Sequence, residues 1–233
     1  MTKYIDQAPL VLAHDWDYLI ILDACRYDTF EEVNTIPGTL TPVWSPGSRT
    51  PKWVECIFTD PSEWEDIVVI SGSQFTESRK GMFKFHRYSL FKDWDDRLDA
   101  VSPKKMGKAT IQLLQEFPNN RMIIWYVQPH VPFIGKTKIG HETIELSKRQ
   151  VLTIMGMVRY FKHDVEYVYN AYKENLEYVL EYVKKLLPHL SGKVIITSDH
   201  GNGFGELGYY FGHEDGSLNH ECVRLVPWLE VDL

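Results

Sequence analysis

Four short apolar runs, rich in β-branched residues, punctuate the chain at 18–22 (YLIIL), 67–71 (IVVIS), 122–127 (MIIWYV) and 193–197 (KVIIT). Unbroken apolarity over about five residues, rather than alternation, marks strands buried on both faces, the pattern of a parallel sheet. A fifth run, 225–231, carries Pro227, which lacks a ladder donor and predicts an edge strand or a strand start. Helical patterns lie between the strands. One opens at Thr50-Pro51 and runs to Phe58, with proline at a favoured first-turn position. A second covers 104–117. The longest covers 164–187, with Val165, Val168, Tyr172, Leu176, Val179, Val183 and Leu186 on one face, and Pro188 stops it. That stripe reads as core packing rather than as a ligand box.

Strand–helix alternation along the whole length predicts an α/β fold, a mostly parallel central sheet flanked by helices. No repeat, low-complexity tract or Pro/Gly/Ser-rich linker interrupts it, so a compact single domain over 1–233 is expected. The least regular stretch, 73–101, is a candidate lid or insertion over a site.

Composition narrows the function classes. Hydrophobic residues at 44% and charged ones at 24% are ordinary for a globular protein. A formal net charge of −7 argues against nucleic acid as a partner. It leaves an anionic small substrate open, because a metal and local basic residues can invert the field inside a site. Arg79, Lys80, Lys84, Arg87 and Lys92, interleaved with aromatics, form either a rim for such a substrate or a solvated surface. Cys25, Cys56 and Cys222 have no paired spacing and read as reduced thiols. No membrane span is visible, and the first residues lack a secretory pattern, so the expected address is cytoplasmic.

The chemistry sits at strand ends, where open α/β sheets bind ligands. The first run ends in Asp23 (LDACRYD) and the fourth in Asp199-His200-Gly201. Two such strands can converge on one divalent cation, although Asp23 as a helix cap and Asp199 as a turn residue would explain each singly. Thr50 opens a helix, where backbone N–H groups and the dipole favour an anion. A hydroxyl there can act as a nucleophile once a metal lowers its pKa, and it can serve as an N-cap as well. Ser48 is the rival hydroxyl, with Ser45 weaker. His130, in QPHVP at the end of the third run, could donate to a substrate oxygen or protonate a leaving group. His213, beside Gly212, could complete a metal shell or contact substrate, with His220 in reserve.

Taken in order, these blocks resemble the sulfatase-like branch of the alkaline phosphatase superfamily. Asp23 to Asp28 looks like the first-strand motif and TSDHG matches the most diagnostic one. Val226-Pro227-Trp228 looks like the late "VP" strand and Gln128 to Pro132 like the substrate-side histidine segment. The resemblance implies an alkaline-phosphatase-like three-layer sandwich, with Asp23, Asp199, His200 and Thr50 as metal ligands. Counting back from Thr59-Asp60 places the nucleophile at Thr50, with Pro51 one place early and Asp60 where the branch has glycine. No Cys-x-Pro-x-Arg is present, which speaks against a formylglycine-dependent sulfatase. Ala24 stands where many sulfatases carry a second Asp, which implies a single metal, and the short chain implies that the usual C-terminal substrate subdomain is absent.

The expected activity is metal-dependent hydrolysis of phosphate or sulfate esters. Thr50 attacks, Arg26 and His130 stabilise oxygens or the leaving group, and Ser48 and His213 contact substrate. Mixed oxygen and nitrogen ligands suit Zn²⁺ or Mn²⁺ over Mg²⁺ or Ca²⁺. The expected partner is a small anionic ester, such as a phosphorylated or sulfated sugar. Two alternatives stand beside it. One is a phosphoryl transferase or mutase related to cofactor-independent phosphoglycerate mutases, which share DHGN. The other is a non-catalytic relative that binds an anionic glycan.

Overall fold

The computed structural model describes residues 3–73, 84–91, 94–95, 100–139, 153–159, 163–208, 210–213 and 216–233. The chain begins with β1 (Ile5–Asp6), α1 (Gln7–Leu12), β2 (Tyr18–Leu22), α2 (Tyr27–Val33), β3 (Thr39–Trp44) and α3 (Thr50–Ile57). It continues with β4 (Val68–Ser71), β5 (Arg87–Leu90), β6 (Trp94–Asp95), β7 (Ala100–Val101), α4 (Pro103–Glu116) and β8 (Met122–Tyr126). Then come α5 (Ile154–Arg159), α6 (Val165–Leu186), β9 (Lys193–Thr197), the β10 (Gly203–Glu206) and β11 (Tyr210–Gly212) hairpin, α7 (Glu221–Arg224) and β12 (Leu225–Asp232).

Eight strands form one sheet in the order β1-β3-β12-β9-β2-β8-β4-β5. β9, β2, β8, β4 and β5 run parallel. β12 is antiparallel to both its neighbours. Of the two expectations for Pro227, the edge strand is corrected and the strand start fits better, since Pro227 is the third residue of β12. Pro227 lies opposite Pro42, so two missing donors share one pair, and pairing with β9 begins one residue later at Trp228. The Pro227 carbonyl instead accepts the Thr197 hydroxyl at 2.6 Å.

The five residues of β2 are all buried. Tyr18, Ile20 and Leu22 face a core shared with α2, α4 and α6, while Leu19 and Ile21 face the core of α1 and α3. Helices on both faces of a sheet make three layers. Burying each of these Leu and Ile side chains contributes about 1.5–3 kcal/mol, enough to fix β2 at the centre of the sheet. A third apolar cluster, with Val131, Phe133, Met157, Val168, Tyr172 and Phe204, lies where the loop after β8 meets α5, α6 and β10. Of the expected lid over 73–101, residues 74–83, 92–93 and 96–99 lie outside the described residues, as do Arg79, Lys80 and Lys92. The described part adds β5 to the sheet beside β4.

Candidate metal centre

β2 and β9 are parallel neighbours in the register Tyr18↔Val194 to Ile21↔Thr197. The residues just past their carboxyl ends therefore emerge side by side, although they come from opposite ends of the sequence. Among the described residues Asp23, Asp199 and His200 each offer a ligand atom, all within 4.8 Å of one another and all buried. His200 Nε2 lies 3.6 Å from Asp23 Oδ1 and 3.5 Å from Asp199 Oδ2. Thr50 Oγ1 donates to Asp199 Oδ2 at 2.7 Å and lies 3.3 Å from His200 Nε2. His200 Nδ1 faces the Gly201 carbonyl at 2.7 Å. A carbonyl can only accept, so Nδ1 carries a hydrogen and Nε2 is the ring atom turned to the carboxylates. Asp199 Oδ1 takes the N–H groups of His200 (3.0 Å) and Ala24 (3.2 Å), which leaves Oδ2 for the centre.

Asp23 Oδ1 is buried and has no hydrogen-bond partner. Burial first, and the neighbouring Asp199 second, push the Asp23 carboxyl well above the usual carboxylate range. Two like charges within 4.8 Å repel by roughly 3 kcal/mol at an effective dielectric constant of 20. A cation removes both penalties. Two carboxylate oxygens, one imidazole nitrogen and one hydroxyl make a donor set that suits a borderline divalent ion. The residues present thus fit a metal.

The loops that hold this set are built from short polar side chains. Ala24 adopts φ +62°, a left-handed conformation unusual for a side chain with Cβ, and it turns the chain directly after Asp23. Tyr172 clamps that turn, its hydroxyl donating to Ala24 O at 2.8 Å and accepting the Arg26 N–H at 2.9 Å. Ser198 Oγ accepts the Cys25 N–H at 2.9 Å and lies 2.6 Å from both Leu22 O and His200 O. At Gly201 a Cβ would meet Cys222 O at 2.2 Å, so the DHG glycine is needed for close approach. Thr50 is the first residue of α3 and Arg49 is its cap, which corrects the reading of Thr50 as the N-cap. Gln7 ties this helix to the metal strand. Its Nε2 donates to Thr197 Oγ1 and Ser198 O, both at 2.8 Å, and its Oε1 accepts Trp53 Nε1–H at 2.8 Å.

His130 and His213 join the centre from two further loops. The His213 ring lies 4.4 Å from that of His200 and 5.0 Å from that of His130. His130 N–H donates to Asp23 O at 3.1 Å. Asn175 Nδ2 on α6 holds the His130 loop through Pro129 O (3.1 Å) and His130 O (3.3 Å). His130 Nδ1 faces Val131 O at 2.7 Å, and His213 Nδ1 faces Asn202 Oδ1 at 3.1 Å. Both rings therefore keep an Nε2 lone pair. Burial, chiefly, lowers the pKa of each, with His200 adding to the effect, so the charged form is disfavoured in both. His220 stands apart as the cap of α7, its Nδ1 accepting the Cys222 N–H at 3.3 Å. Ser48 is fully buried, and Thr50 is the hydroxyl found against Asp199 and His200. Arg26 also lies beside the centre, at Asn202. Its guanidinium is taken up by Asp28, by Glu206 and by the Asn202 carbonyl.

No protein-family model matches this sequence, and no curated protein sequence does. Solved structures do match. The integral membrane lipooligosaccharide phosphoethanolamine transferase A from Neisseria meningitidis aligns at TM-score 0.62 and 13% identity, over 91% of this chain and 47% of that one. The C-terminal periplasmic domain of phosphoethanolamine transferase EptC from Campylobacter jejuni aligns at 0.59 and 14%, over 92% and 78%. A putative sulfatase from Bacteroides thetaiotaomicron aligns at 0.59 and 12%, over 93% and 64%. The chain has the fold of the sulfatase-like branch of the alkaline phosphatase superfamily. It spans about half the length of the first of these neighbours. The resemblance read from the motifs thus holds at the level of fold. The cytoplasmic address finds no support, since the EptC neighbour is a periplasmic domain. No described helix is long and apolar enough to cross a membrane.

Four contributors escaped the sequence reading. Gln7 belongs to no motif in the sequence. Tyr172 was absorbed into a core stripe, although its hydroxyl was a signal that Val or Leu would not carry. Ser198 and Asn202 flank the DHG motif, and each joins a motif residue to a neighbouring loop.

Proposed function

We propose that this chain is a metal-dependent enzyme acting on phosphate or sulfate esters, with Thr50 Oγ1 as the attacking oxygen. The observation that carries the reading is the buried, unpartnered Asp23 Oδ1 beside Asp199, His200 and the Thr50 hydroxyl. Asp23, Asp199, His200 and Thr50 would hold the ion, with Zn²⁺ or Mn²⁺ favoured by the imidazole. Bound there, a divalent ion supplies positive charge that acidifies a hydroxyl and offsets charge on the transferring group.

The Thr50 proton already points at Asp199 Oδ2, which gives it a path off the oxygen. Attack forms the Thr50 Oγ1–phosphorus or –sulfur bond and breaks the bond to the leaving oxygen. The positive end of the α3 dipole lies at Thr50 and favours an anion there, while the Lys52 and Trp53 N–H groups are taken by Arg49 O and Pro51 has none. Neutral His130 and His213 suit proton uptake at Nε2. That favours activating the oxygen that releases the group from Thr50 over protonating the leaving group, the role read from sequence. Arg26 is left out of this set.

When that oxygen is water, the reaction is the expected hydrolysis; when it is an acceptor hydroxyl, it is transfer. Two of the matched structures are named as phosphoethanolamine transferases, which supports transfer as a second reading. The test is turnover of 4-nitrophenyl phosphate and 4-nitrophenyl sulfate by zinc- or manganese-loaded protein, with and without an alcohol acceptor. The account expects turnover that chelation and Asp199→Ala both abolish. Activity that survives both would overturn it.

A further inference from the structure

We propose that Arg26 is a positioning residue, which holds His213 over the metal-binding cluster by clasping the β10–β11 hairpin. The inference rests on the proposed reading to the extent that His213 serves that site. Its geometric part stands alone.

The Arg26 side chain is 13% exposed. Its Nε donates to Asp28 Oδ1 at 2.9 Å and its Nη2 to Asp28 Oδ2 at 2.5 Å. Its Nη1 donates to the Asn202 carbonyl at 3.1 Å and, by a short contact, to Glu206 Oε1. Four of its five N–H donors are thereby used. Two carboxylates share one guanidinium, so the local sum is negative rather than positive. Such a group is poorly placed to stabilise an incoming anion and well placed to fix its partners. The planar fork places four N–H donors on these three partners, one more than a lysine ammonium carries.

Two of those partners, Asn202 and Glu206, belong to the segment that delivers His213, while Asp28 lies on α2 beside Arg26. Glu206 ends β10 and pairs across the hairpin with Tyr210. Its other oxygen, Oε2, accepts the Phe204 N–H at 2.5 Å, so the carboxylate is bound at both ends. Phe204 packs on Tyr169 and Tyr172 with ring centroids 5.1 and 4.9 Å apart, and Arg26 Cζ lies 5.9 Å from its ring centre. Asn202 is the direct link. Its carbonyl accepts from Arg26 while its side-chain oxygen takes His213 Nδ1 at 3.1 Å. Two hydrogen bonds therefore join Arg26 to the imidazole. The hairpin between them turns through Leu207, Gly208 and Gly212, all at positive φ, and Leu207 is 53% exposed at its tip. Phe204 anchors one strand of this segment, and the Arg26 contacts add the polar ties to the end that bears the ring.

Two readouts test the assignment. The first uses ring ¹⁵N–¹H NMR of metal-stripped protein at pH 8. His213 should show the Nδ1–H tautomer in the natural protein and an averaged, exchange-broadened signal in Arg26→Ala, while His220 is unmoved. An unchanged His213 signal would overturn the clasp. The second is a double-mutant cycle on ester turnover. Arg26→Ala should lower kcat/KM by about 10–100-fold, the usual effect of a group that orients a site residue. In a His213→Ala background the further loss should be less than about twofold. A full loss in both backgrounds would mean that Arg26 meets substrate itself, and would overturn the proposal. Should Arg26→Ala fail to melt cooperatively, Glu206→Gln, which retains the Arg26–Asp28 pair, carries both measurements with smaller effects in the same direction. If the natural protein shows no metal-dependent turnover, the functional reading fails while the NMR result still decides the clasp.

Discussion

The two ends of β2 and β9 treat charge in opposite ways. At their amino ends Asp17 N–H donates to Lys193 O at 2.9 Å, and Asp17 Oδ2 accepts the Lys193 N–H at 2.8 Å. Lys193 Nζ reaches Asp15 at 2.7 Å and Glu230 at 3.6 Å. Lys193 has two acidic partners there, Asp17 accepts a backbone N–H, and these charges face water. At the carboxyl ends of the same strands, Asp23 and Asp199 share a sign, are buried and have no cation among the described residues. Packing between the ends is alike. What differs is that one end offsets its charges within the protein, while the other gathers a donor set that fits a metal.

The largest way to break this contrast is to remove the nucleophile. Thr50→Ala is expected to lower kcat on 4-nitrophenyl phosphate or sulfate on the order of 10⁴-fold or more, as loss of an attacking oxygen does. Its melting temperature should stay near that of the natural protein. Next, the carboxyl end should respond to neutralisation in the opposite sense to ordinary core damage. Asp23→Asn removes one of two repelling charges, and its amide can donate toward His200 Nε2. Metal-free protein should gain about 1–3 kcal/mol by denaturant melts, the scale of one buried unpaired group. At the amino end Asp17→Ala should lose about 1 kcal/mol.

Acidity sharpens the contrast further. Burial and Asp199 raise the Asp23 pKa in the folded protein. Between the ordinary carboxylate range and that raised value the folded state binds more protons than the unfolded one. Stability of metal-free protein therefore falls as pH rises through that window. With metal present the slope should reverse, because protons compete with the ion and acid releases it. Melting curves from pH 4 to 7, with and without chelator, check the sign. The smallest effect belongs to Lys193→Ala, which removes largely solvated ion pairs and should cost less than about 1 kcal/mol.

Much of this was legible in the sequence because the informative elements are locally determined. β2 and β9 are continuous apolar runs, and both lie where the pattern placed them. Their final residues then name the site. β3 was not read, since Thr39, Thr41 and Pro42 break its apolar run. β12 reads as an edge strand or a strand start, because a lone Pro227 gives no hint that Pro42 faces it across the pair. Arg26 was given a substrate role from its motif. The carboxylate that redirects it, Glu206, lies 180 positions away and is brought close by the hairpin alone. His213 could be preferred over His220 from its glycine neighbour, whereas its bond to Asn202 required coordinates.

The most direct test of the central claim is a zinc titration of metal-stripped protein, read as melting temperature in the natural chain and in Asp23→Asn. At about 1,000 times the dissociation constant, bound metal should stabilise the fold by about 4 kcal/mol. For a chain of this size that is a rise of roughly 8–16 °C. The account predicts this rise in the natural protein and its near loss in Asp23→Asn. Equal shifts in the two proteins, or none in either, would contradict it.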